Sequence, residues 1–67
     1  MTKHSIRFEI HQEIHTIEFR KMIEIWSGAS EDMAKRMLQK CRDLYPDKYF
    51  ELHQIEHKDT LIEHTGN

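Results

Sequence analysis

The chain predicts a two-layer α+β domain of order strand, strand, helix, strand. One helix lies on one face of a three-stranded, mainly antiparallel sheet. Three observations carry this. Apolar and polar residues alternate over residues 4–11 and again over 15–26, the period of a strand. Across Trp26-Ser27-Gly28-Ala29-Ser30 the rhythm changes, and apolar residues then recur at three and four, the period of a helix. Beyond Pro46 a shorter apolar group over 48–57 supplies the last strand.

In the first strand Ile6, Phe8 and Ile10 point one way and Ser5, Arg7, Glu9 and His11 the other. The second strand repeats the pattern with Ile17, Phe19, Ile23 and Ile25, interrupted by Lys21, where a bulge or an uncovered stretch is expected. Between them His11-Gln12-Glu13-Ile14 reads as a four-residue hairpin loop, although it has neither Gly nor Asn. That loop sets Phe8 opposite Ile17, Ile6 opposite Phe19 and Arg7 opposite Glu18, so one register satisfies both faces.

Ser30 suits a helix N-cap, and Glu31 and Asp32 follow where acids favour the helix dipole. Ala34, Met37, Leu38, Cys41, Leu44 and Tyr45 fall on one stripe. Lys35, Arg36, Gln39, Lys40 and Asp43 face elsewhere, and Pro46 stops the helix. In the third strand Phe50 and Leu52 share one face, Tyr49 and Ile55 the other. The helix reverses the chain, so this strand runs parallel to the second. Placing it beside the first, in preference to the second, keeps all neighbours antiparallel and puts strand one in the middle. Residues 1–58 form the domain. Residues 59–67 are expected as a polar tail whose one apolar anchor is Leu61-Ile62.

Sixty-seven residues make one small core, and a lone Cys41 makes no internal disulfide. Stability must come from packing, a metal or association, as is common below roughly 70–80 residues. Ten basic and twelve acidic residues give a net charge of −2, no field for nucleic acid or anionic membrane. No apolar run approaches the ~18 residues of a spanning helix, and the start lacks a secretory-signal stretch. The expected location is the cytoplasm.

Of six histidines, His11 with His15 and His53 with His57 share a spacing of four. On a helix that is half a zinc site. On a strand it separates the rings by roughly 13 Å. The hairpin turn brings His11 towards His15, and antiparallel pairing of strands one and three brings His57 towards His4 at the opposite end. The two groups are expected apart, as solvated surface residues, with no metal and no cofactor. A pH-sensitive role between about 5 and 7 is the milder functional reading.

Cys41 sits on the apolar stripe near the helix end, which reads as a buried thiol and not a nucleophile. Ser27-Gly28-Ala29-Ser30 matches no nucleophile elbow. With only Gly28 and Gly66 there is no phosphate loop. Carboxylates Glu9, Glu18, Glu24, Glu51 and Glu56 mostly interleave with Arg7, Arg20 and His53 on the open face, as on a solvated surface. Catalysis also needs a water-poor pocket. No enzyme and no small-molecule substrate are expected.

What remains is a protein-binding or regulatory module whose partner is another protein or a second copy, joined through a strand edge. Met22 and Trp26 fall on the outward phase of strand two, whose end runs past strand one in the register above. With Tyr49 they form the expected interface. The alternative is a nucleic-acid-binding module using Lys35, Arg36, Lys40 and Arg42, although Glu31, Asp32 and Asp43 share that helix.

Overall fold

A computed structural model describes residues 6–66. Its elements are β1 (Arg7–His15), β2 (Arg20–Gly28), α1 (Glu31–Leu44), β3 (Phe50–Ile55) and β4 (Asp59–His64). The sheet order is β2-β1-β3-β4, and each neighbouring pair is antiparallel. The α+β class and the central position of β1 agree with the sequence reading. The sheet has four strands, not three: the expected tail over residues 59–64 is an edge strand on β3.

The hairpin is longer than expected. Residues 11–14, expected as the loop, lie inside β1, and the turn falls at 16–19. The Thr16 N–H donates to the Phe19 carbonyl (2.8 Å). Its hydroxyl accepts from the N–H groups of Glu18 (3.2 Å) and Phe19 (3.1 Å). A threonine side chain thus makes the turn that Gly or Asn makes elsewhere. The expected pairs Phe8–Ile17 and Arg7–Glu18 do not form. Phe8 faces Gly28 and His15 faces Arg20.

A bulge sets the phase of β2. Ile10 pairs with Trp26 and His11 with Glu24, leaving Ile25 as the extra residue. Trp26 therefore turns to the helix side with Ile10, while Met22, opposite Glu13, stays on the open side. Only a glycine lets the indole lie where it does: a Cβ on Gly28 comes within 2.7 Å of its Cη2 atom.

The core joins Phe8 and Ile10 of β1, Phe50 and Leu52 of β3, and Ala34 and Leu38 of α1. Trp26, Met37, Cys41 and Ile62 pack around it. Each large buried side chain contributes roughly 1.5–3 kcal/mol. Ser30 caps α1, its Oγ accepting from the Met33 N–H (3.2 Å). The Tyr45 N–H closes the last turn on the Cys41 carbonyl (2.9 Å) before Pro46. The helix reaches only the near half of the hairpin, so Ile17, Phe19 and Ile23, expected on the covered face, are exposed, and Ile25, the bulged residue, is exposed as well.

Candidate functional site

Two regions carry chemistry that packing alone does not absorb. The first is the outer edge of β2. Among the described residues no strand pairs with it, and it spans nine residues. Met22, Ile23 and Ile25 are exposed along it, and Phe19 stands at its start. Arg20 and Glu24 flank Met22 two residues to either side, on the same face. Arg20 also meets Glu13 across the hairpin (3.3 Å).

The second is the centre of the open face, where β1 and β3 bring Glu9 opposite His53 and His11 opposite Glu51. The two imidazoles stack with centroids 4.1 Å apart. Glu9 is 7% exposed and accepts from the Arg7 guanidinium (2.6 Å) and from His11 Nε2 (2.9 Å). The His11 hydrogen bond holds the Glu9 carboxyl below its ordinary value against the upward push of burial, with Arg7 adding to it.

His53 sits between two acids, with Nε2 on Glu51 Oε1 (2.8 Å) and Nδ1 on Asp59 Oδ1 (2.5 Å). Burial favours neutral imidazole, but hydrogen bonds to Asp59 and Glu51 outweigh it and raise the pKa. Burial likewise pushes Glu51 upward, and its bonds from Tyr49 and His53 reverse the shift. The Tyr49 hydroxyl donates to Glu51 Oε2 (2.7 Å), which pushes its own pKa up to about 12.

No family model, curated protein or solved structure matches the chain.

The expected interface residues divide. Met22 and Tyr49 lie on the open side, with Glu13 between them: it pairs with Met22 and donates its N–H to the Tyr49 carbonyl (3.0 Å). Trp26 faces the core instead, because of the bulge. The end of strand two, expected to run unpaired past strand one, is not unpaired, since residues 20–28 are registered on β1. What β2 leaves open is its other edge.

The expected histidine groupings change too. His11 and His15 lie in one strand, so no turn folds them together. His4 is outside the described residues, and His57 sits in the β3–β4 turn. His11 meets His53 instead. That neighbour had no local signal, because the pair forms only across strands that are distant in sequence.

On α1 three of the four basic residues are paired with acids: Lys35 with Glu31 (3.3 Å), Arg36 with Asp32 (3.1 Å) and Arg42 with Glu63 (3.7 Å). Cys41 is half-buried, and burial raises its thiol pKa. A pocket of about 230 Å³ at the β3–β4 turn is lined by Gln54, Glu56, His57, Lys58 and Thr60. It is smaller than the roughly 300–1,000 Å³ of ordinary ligand pockets. Among the described residues no helix is long and apolar enough to cross a membrane.

Proposed function

We propose that the chain is a small non-enzymatic protein-binding module that works as a homodimer, joined through the outer edge of β2. The observation that carries this reading is the self-complementary pattern around Met22. Two β2 strands paired antiparallel are related by a twofold axis perpendicular to the sheet, so each side chain keeps its face. With the axis at Met22, the two Met22 side chains meet. Arg20 then opposes the partner's Glu24, and Glu24 opposes the partner's Arg20. Lys21 opposes the partner's Ile23 on the other face, where its apolar stem lies along the isoleucine.

Opposite charges directly across a strand pair are favourable, and like charges are not. The two sheets would continue as one, satisfying backbone groups that the free edge leaves to water. A small core gains stability from such association. A single free thiol suits a reducing compartment such as the cytoplasm. A nucleic-acid role for Lys35, Arg36, Lys40 and Arg42 has less support, because acids neutralise most of that surface.

Sedimentation equilibrium of charge variants tests the reading. Arg20→Glu places acid against acid at both ends of the pair and weakens dimerisation by severalfold to about tenfold. Adding Glu24→Arg restores it. A single variant that dimerises like the wild type, or a double variant that fails to recover, contradicts this arrangement.

A further inference from the structure

We propose that His11, His53 and Glu51 form a binding site for a divalent transition-metal ion of the zinc class, on the open face of the sheet. One ring nitrogen from each histidine and one carboxylate oxygen of Glu51 lie within 4.8 Å of one another. Zinc bonded at about 2.0–2.1 Å holds tetrahedral ligand atoms about 3.3 Å apart, so rotation of these side chains closes the set. Two imidazoles and a carboxylate are the donors that zinc takes from proteins when it keeps a fourth position for water.

The stronger argument is what stands behind each donor. A ligating histidine characteristically donates its other ring N–H to a carboxylate, which fixes the tautomer and the ring orientation. Here that pattern occurs twice. His11 donates from Nε2 to Glu9, leaving Nδ1 for a metal. His53 donates from Nδ1 to Asp59, leaving Nε2 towards Glu51. Glu51 is oriented in the same way: Tyr49 holds Oε2, and Oε1 faces His53. Glu9 is held in turn by Arg7.

Residues outside the donor set therefore position all three donors. These supports come from β1, from the residue before β3 and from β4. Nε2 of His53 and Oε1 of Glu51 face each other at 2.8 Å, and an ion bound by both takes the place of that hydrogen bond. The donors lie on β1 and β3, inward of the β2 edge, with Glu24 of β2 opposite His11.

The full chain, stripped with chelator and titrated with zinc ions alone, tests this by calorimetry and by NMR of the imidazole rings. One ion per chain binds saturably. The ring signals of His11 and His53 move, and those of His15, His57 and His64 stay. His53→Ala lowers the affinity more than about a hundredfold, and Asp59→Asn lowers it about ten- to a hundredfold by releasing the ring orientation. Because the ring signals are read in the wild type, a variant that does not fold leaves the result decisive. No saturable binding overturns the proposal, as does binding that moves the other histidines in place of His11 and His53.

Discussion

The two edges of the sheet differ in ways that bear on what the molecule can join. β4 is six residues long, bulged between its pairings with Leu52 and His53, and carries Asp59 and Glu63 with no Lys or Arg. Both acids are engaged, Asp59 by His53 and Glu63 by Arg42 of the helix. They lie on opposite faces of the sheet, so β4 sets no opposite charges against a second copy. β2 is nine residues long, exposes Met22, Ile23 and Ile25, and sets Arg20 and Glu24 evenly about Met22. Proteins commonly blunt free edges with shortness, bulges and unmatched charge. β4 uses all three. β2 has charges of both signs, spaced to match a second copy, and a bulge only at Ile25, beyond the matching segment.

A lysine on each edge is the sharpest way to break this comparison. Met22→Lys sets two ammonium groups against each other at the proposed axis and weakens dimerisation by at least about tenfold, read by sedimentation. Leu61→Lys adds the same charge to an exposed residue of β4 and leaves the dimer constant within about twofold. Equal losses in both would mean that the edges do not differ in role.

A much smaller effect is expected at the hairpin tip. Ile17 is fully solvent-exposed (105% relative exposure) but lies before β2, outside the matching segment. Ile17→Ser changes stability by less than about 0.5 kcal/mol, read by urea denaturation, and leaves association unaltered. A large loss of association there would indicate general stickiness in place of a defined strand pair.

The elements with local signals were legible in the sequence. Alternation marked β1 because Phe8 and Ile10 face a helix while Glu9 and His11 do not. Ser30, the acids after it and Pro46 marked the helix, since capping and chain stiffness act within a few residues.

The hairpin register was not legible. Its turn is made by the Thr16 hydroxyl, a weaker signal than Gly or Asn, and the bulge at Ile25 reverses the phase of Trp26. β4 was hidden because Leu61-Ile62 is its only apolar pair and its remaining positions read as a polar tail. The histidine cluster needed the β1–β3 register to the residue. The sequence reading set His4 against His57, whereas the pairing of Glu9 with His53 implies a register one residue away. A slip of one residue exchanges the faces, and with them the neighbours of His11.

Amide hydrogen exchange of the full chain, followed residue by residue over a range of protein concentrations, tests the β2 edge most directly. Along residues 20–24, the amides that point away from β1 are expected to gain protection as concentration rises, while the outward amides of β4 keep constant rates. Exchange at β2 that is independent of concentration, up to the highest concentration at which the chain stays in solution, would contradict the homodimer.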